Sequence, residues 1–475
     1  MSRTLIKNTT VVSMDPAIGN REGADILIDG DRIAAVGKHL STLPNDSAAV
    51  IDGSNCIVIP GMINAHIHTW EFSLRGIGAG WVSSRDYHGN MHQNLATRYT
   101  ARDVHIANLL GALNQMHHGT TTIMDWCHIL KDAEMTDAAI DALDESGIRA
   151  VFARGTVKPP VTKDATPYYK IPFPREEIHR LRSGRFASDD QLLTLAMAIL
   201  GPDWGEYDVA AHDIRLAREY GLINSAHTYG RVGKRKVEDG MRRLAKEGLL
   251  GPDHNIAHGN CFEEDELKIV LDAGCTITST CFTEMMNYEK PAMLSRQLKY
   301  GGTPSIGSDC DPYFNSSMLW VTRHAFHHQR ELDNRTLHAV KAWPAATQHA
   351  THPRDALYWA TMGGAKALKL DHKIGSITPG KQADLAMFDS TGMNLFAAAE
   401  SGDPVHAVVM FAEAADVKNV MVAGQWRKRD GKLTYDENKL AKLRDDVTAS
   451  RLRMMREGNY VYQPAGNGPQ PEYRV

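Results

Sequence analysis

The chain has 475 residues, with 53 basic and 57 acidic side chains, a formal charge of -4 and 43% hydrophobic residues. That length admits one large core plus a smaller companion, and the near balance of charge, without long runs of one sign, implies neither nucleic acid nor membrane as a partner. No stretch approaches the roughly 18 apolar residues of a membrane-spanning helix, and the cysteines (Cys56, Cys127, Cys261, Cys275, Cys281 and Cys310) form no CxxC pair, so free thiols in a reducing, cytoplasmic setting are expected.

The opening residues read as short strands: TLIKNTTVVSM, then ADILIDGDRIAAVG around an Asp-Gly turn, then AAVIDGSNCIVIPG. From about Pro60 short apolar runs alternate with longer helical segments, the signature of parallel strands joined by helical crossovers. The runs are CIVIPGMINAHIH, GTTTIMDW, IRAVFARGT, LLTLAMAILGPDW, LINSAHTYG, HNIAHGN, CTITSTCF and TPSIGSDC. They supply the eight strands that a closed α/β barrel needs. Between the third and fourth, the Pro-punctuated stretch 158–186 is longer than an ordinary connection and is a candidate lid. After Gly363-Gly364 the pattern returns to strand and turn, in IGSITPGKQADLAMFD and HAVVMFAEAADVKNVMVAGQWRKRDGKLT. The two terminal β segments are expected to pair into one small sandwich, with the barrel inserted between them. The expected division is 1–58 with 376–433 for the sandwich, 59–375 for the barrel, and 434–475 for a charged helix and a Gly/Pro-rich tail that wraps a surface or a neighbouring subunit.

Histidine is abundant, with 22 copies, but spacing rather than number locates chemistry. In VIPGMINAHIHTW, His66 and His68 are two apart, so on a strand both imidazoles face one way and could share a metal ion. A lone His-x-His also occurs on solvated strands; the neighbours give this one weight. Other polar residues stand where later apolar runs end: His227 after LINSA, His258 after NIA and Asp309 after PSIGS. In a barrel such strand ends converge on one face. Asp309 can complete a set of neutral imidazoles and accept a proton, with a turn-forming or helix-capping Asp as the alternative. His258 could instead be a core histidine bonded to backbone. Trp70, Trp81, Trp126 and Trp204 fall near strand ends and are candidates to sandwich a flat ring, with ordinary packing as the alternative for each.

Taken together, VIPGMINAHIHT, the GTTT strand with Asp125, the single His on a fifth strand, AHGN, GSD and the closing IGSITPGKQADLAMFD resemble the amidohydrolase superfamily. The likeness runs from about Leu5 to Leu433, and is greatest to the branch of cytosine deaminase, S-adenosylhomocysteine deaminase and the triazine hydrolases. The resemblance implies a (β/α)8 barrel and one divalent metal, zinc with iron or manganese as alternatives, on His66, His68, His227 and Asp309. It places His258 beside the attacking water and implies a small cyclic substrate and a homodimer or larger oligomer. No lysine stands at the end of the fourth strand, which disfavours the two-metal variant built on a carbamylated lysine.

One departure matters. Deaminating members of that branch carry a glutamate three residues after the fifth-strand His, and here the position is Gly230 in His227-Thr228-Tyr229-Gly230. Tyr229, Asp203, Glu284, His117 and His118 are the candidates to replace it. STCFTEMMN also departs from the usual seventh-strand pattern. The expected reaction is hydrolysis at an sp2 carbon of an N-heterocyclic or aromatic substrate. Asp309 accepts a proton from a metal-acidified water, His258 orients the nucleophile, and a non-peptide C–N bond is cleaved. Because of Gly230, lactam or amide ring opening and dechlorination are alternatives, and a non-catalytic metal-stabilised scaffold is the alternative of another class.

Overall fold

The computed structural model describes residues 3–41, 48–81, 84–231, 233–340 and 351–461. Most of the tail expected to wrap a surface therefore lies outside the described residues. Five strands open the chain: β1 (Arg3–Val12), β2 (Asn20–Asp29), β3 (Arg32–Gly37), β4 (Ala49–Asp52) and β5 (Cys56–Pro60). Eight follow: β6 (Met62–Ile67), β7 (Thr120–Cys127), β8 (Arg149–Gly155), β9 (Leu193–Ile199), β10 (Ile223–His227), β11 (His254–Ala257), β12 (Thr276–Ser279) and β13 (Ser305–Ile306). Four more close the fold: β14 (Leu385–Asp389), β15 (Val417–Val422), β16 (Gln425–Arg429) and β17 (Lys432–Leu433).

β6 to β13 pair in sequence order, all parallel, with helices between most of them. Each strand is buried on both faces, and the period of two divides the faces cleanly. On β7, β8 and β9 the outward Ile123, Phe152, Leu195 and Met197 join the cluster under the helices, whereas Met124, Val151, Ala153, Ala196 and Ala198 fill the interior. The ring closes through Asp309. Its N–H donates to the His66 carbonyl (2.9 Å), and its own carbonyl accepts from the His68 N–H (3.1 Å), in a parallel bridge between Ile67 and Asp309. A prospective functional residue is thus also the stitch that turns an open sheet into a barrel.

The terminal segments form the second sheet, in the order β17-β16-β15-β14-β5-β1-β2-β3, with β4 beside β1. β14 runs antiparallel to β5, immediately before the first barrel strand, so the two ends of the chain meet where the barrel begins. The helix Glu437–Glu457 returns to the barrel, and its Arg453 pairs with Asp103 at 2.5 Å on the helix Ala101–His117. The candidate lid is corrected in part. Arg175–Ser183 is an ordinary barrel helix with Ile178 and Leu181 in the core, which leaves 159–172 as the exposed part of that stretch. No helix of the described residues is long and apolar enough to cross a membrane.

Candidate metal centre and cavity

β6 ends at Ile67, and the extended backbone through His68 turns both imidazoles toward the same point. Asp309 Oδ1 lies 3.2 Å from His66 Nε2 and 3.2 Å from His68 Nε2. His227, the last residue of β10, brings its Nε2 to 3.0 Å from that of His66. All four residues are buried, and their donor atoms lie within 4.8 Å of one another. Burial holds His66 down at about 4 and His227 well below the usual imidazole value. His68 goes the other way: burial opposes its charge, but the Asp309 and Glu71 carboxylates outweigh it and lift the ring above the usual imidazole value. Once that ring gives up its proton, three imidazole nitrogens beside one carboxylate form a donor set suited to zinc and other borderline divalent ions. His68 Nδ1 meets the Trp126 carbonyl at 2.6 Å, which orients Nε2 toward the centre. His66 Nδ1 is buried without a comparable partner.

Two of the strand-end residues are held in left-handed backbone, Asp309 at φ 64° and His258 at φ 78°. Non-glycine residues tolerate this at a cost of about 1–3 kcal/mol, which the surrounding structure must over-determine. In both, the turn swings the side chain into the barrel mouth. His258 Nδ1 lies 3.0 Å from Thr280 Oγ1 and 3.4 Å from Glu284 Oε1, leaving Nε2 for the cavity. Glu284 is fixed in turn by accepting from the Thr280 N–H at 2.7 Å.

The cavity over these residues is walled by aromatic and imidazole rings: Tyr87, His88, His92, His128, Trp204, Tyr288 and Tyr313. Among the lining residues Asp309 is the only carboxylate and Lys158 the only lysine or arginine. Gly230 explains itself in this geometry. A β-carbon there would stand 2.6–2.8 Å from the Tyr288 ring, so Tyr288 fills the space into which a side chain at 230 would project. The same ring packs 4.9 Å from that of His258, edge to face. The place of the expected carboxylate has gone to a phenol.

Of the residues singled out in the sequence, Trp204 and His258 line the cavity together with His68, His227 and Asp309. The others are redistributed. Trp70 is fully buried in the packing layer, with its indole N–H donating to His128 Nδ1 at 3.3 Å, and Trp81 packs on Tyr313 and donates to Tyr460. Trp126 lies under the site, its ring 4.0 Å from that of His227. Asp203 accepts from the Tyr229 N–H at 2.7 Å and faces Arg235 at 3.6 Å, so it braces the loop rather than the cavity. Tyr229 lies against Trp204 at the outer opening, the rings 4.8 Å apart and tilted by 46°. Glu284 stands behind His258 and does not reach the wall. His117 and His118 precede β7 and so lie at the opposite end of the barrel. Asp125 accepts from the Thr69 N–H and from Asn108, and serves packing. Sequence reasoning passed over Lys158, His92, His128 and Tyr288. His128 follows β7 directly, a position that would have signalled it, whereas Lys158 stands three residues past the end of β8.

The Amidohydrolase family pattern matches residues 57–427. Among curated relatives, 5'-deoxyadenosine deaminase of Methanosarcina barkeri is 24% identical, covering 93% of this chain and 96% of that protein. 5-methylthioadenosine/S-adenosylhomocysteine deaminase of Caldanaerobacter subterraneus is also 24% identical, over 89% of this chain and 92% of its own. Among solved structures, zinc-bound atrazine chlorohydrolase of Arthrobacter aurescens TC1 superposes with a TM-score of 0.77 at 22% identity, covering 94% of this chain and 100% of the other. A zinc-bound adenosine deaminase of Xanthomonas campestris gives 0.77 at 20% identity, over 95% and 98%. The matched span contains the whole barrel, all four donors that converge at its mouth and the β14–β15 return, and the chain belongs to the amidohydrolase family.

Proposed function

We propose that the chain is a metal-dependent hydrolase that attacks an sp2 carbon of a small, flat, N-heterocyclic or aromatic substrate and cleaves a non-peptide C–N bond. The carrying observation is the convergence of His66, His68, His227 and Asp309 within 4.8 Å, at the floor of a ring-walled cavity that His258 also enters. The relatives named as deaminases and the zinc-bound neighbours support the same reading. His66, His68, His227 and Asp309 would hold a divalent cation, zinc by preference, which would supply a Lewis acid able to acidify water toward neutral pH. Asp309 Oδ1, turned into the cavity floor, would accept the nucleophile's proton and return it to the leaving group. His258, tethered at Nδ1 by Thr280 and Glu284, offers Nε2 to the oxygen on which charge develops. The surrounding rings stack on a planar substrate and exclude bulk water.

A second reading, ring opening or loss of a non-amine leaving group, is favoured by one observation: Tyr288 fills the space beside Gly230, so no carboxylate there protonates a ring nitrogen. Product analysis separates the two. Ammonia with an intact ring supports deamination; an opened ring or released halide without ammonia supports the second. Elemental analysis tests both, since each requires about one metal per chain, lost on chelation together with turnover. A metal-free chain that still turns over would defeat the proposal. The same reading includes a homo-oligomer, tested by solution mass, a cytoplasmic location in keeping with six buried free thiols, and the division of the chain at 58/59, 375/376 and 433/434.

A further inference from the structure

The connection after β8 turns its first lysine inward. Lys158 lines the same cavity as His227, His258 and Asp309, and only 7% of its surface is exposed. Its ammonium lies 4.6 Å from the centroid of Trp204 and 5.8 Å from that of Trp126. Among the described residues, no carboxylate comes within 4.0 Å of it and none of its three N–H groups has a hydrogen-bond acceptor. Two indole faces offset part of the cost of desolvating an ammonium, but they leave its donors unmet. A side chain that served packing alone would be apolar, methionine for instance, which fills the space without that cost. Burial draws the ammonium down to about 8.

We infer that Lys158 reads the charge of the substrate, and that the substrate is a flat ring bearing an anionic oxygen, a carboxylate or an enolate. The charge balance of the wall points the same way. Asp309 is its only carboxylate and belongs to the metal set. Lys158 and a divalent cation together therefore carry more positive charge than the wall neutralises, a surplus suited to an incoming anion. Seated over the Trp204 ring at the cavity wall, the Lys158 ammonium is placed to meet the anionic edge of a ring that enters the cavity. This inference rests on the cavity being the substrate site, as proposed above, and names the substrate class for it.

The test is equilibrium binding of benzoate and benzamide, two flat rings of nearly equal size that differ in charge, measured by calorimetry on the full chain with zinc and after chelation. Benzoate is expected to bind more tightly than benzamide by about tenfold or more in both forms, the scale of a hydrogen bond to a charged group. In the chelated chain Lys158→Met is expected to abolish the preference, with a thermal midpoint no lower than that of the parent chain, and Lys158→Arg to retain it. Equal binding of the two ligands, a preference that survives in chelated Lys158→Met, a parental preference that vanishes with the metal, or no benzoate binding at millimolar concentration would each overturn the inference. Because binding is read without turnover, a chain that discriminates by charge yet hydrolyses nothing would keep this inference and defeat the hydrolase reading.

Discussion

At Asp309 two demands fall on one residue. The backbone must accept φ 64° and close the barrel to His66 and His68, while the carboxylate meets two imidazoles at 3.2 Å. Asparagine tolerates left-handed backbone better than most residues, so Asp309→Asn removes the charge and spares the stitch. It is expected to keep its circular dichroism and lose turnover by about 10²–10⁴-fold, the range of a positioned acid or base; near-parental turnover would remove Asp309 from the reaction. Glu284 acts one step further out, through His258. Glu284→Gln can still bond the ring but not as an anion, so it is expected to lower kcat by about 10–100-fold, the scale at which supporting partners act, with metal content unchanged. Loss of metal in that variant would place Glu284 in the metal site instead.

Among the elements, the barrel strands are legible in the sequence because each is apolar on both faces and ends in a polar turn. The four candidate metal donors are legible for the same reason, since all stand at or just past such ends. Lys158 is not: a lysine followed by Pro159 and Pro160 reads as solvated loop, and only the fold turns it inward. Trp70 and Trp81 show the converse, because a tryptophan in the connection after a strand can enter either the mouth or the packing layer, and both of these enter the layer. Gly230 was visible as an absence, but its cause, the ring of Tyr288 after the helix Cys281–Asn287, comes from a different loop. The two positions are therefore expected to be coupled. Gly230→Ala should cost about 1–3 kcal/mol through overpacking, and the same change in a Tyr288→Ala background should cost little, as a double-mutant cycle by urea unfolding would show. Additive effects would mean that the ring moves aside freely.

Across the molecule, barrel and terminal sheet share more than the β5–β6 junction. Arg149, the first residue of β8, forms a two-pronged pair with Asp384, just before β14, at 2.9 Å through both Nε and Nη2, with side chains 3% and 2% exposed. Asp384 also accepts from the Ala423 N–H at 2.8 Å, tying in the turn after β15. A buried pair of this kind adds little relative to apolar residues of equal volume, yet losing one partner strands the other charge. Asp384→Ala is therefore expected to destabilise the chain by about 3–5 kcal/mol, read as a fall in the urea midpoint, whereas Arg149→Met with Asp384→Leu should recover most of that loss. Metal content and turnover of the double variant should stay near parental, because the pair sits at the N-terminal ends of the barrel strands, away from the mouth. If the double variant folds as stably as the parent but loses metal, the contact between sheet and barrel would be setting the geometry of the mouth, and the terminal sheet would have to be counted as part of the catalytic apparatus rather than as its support.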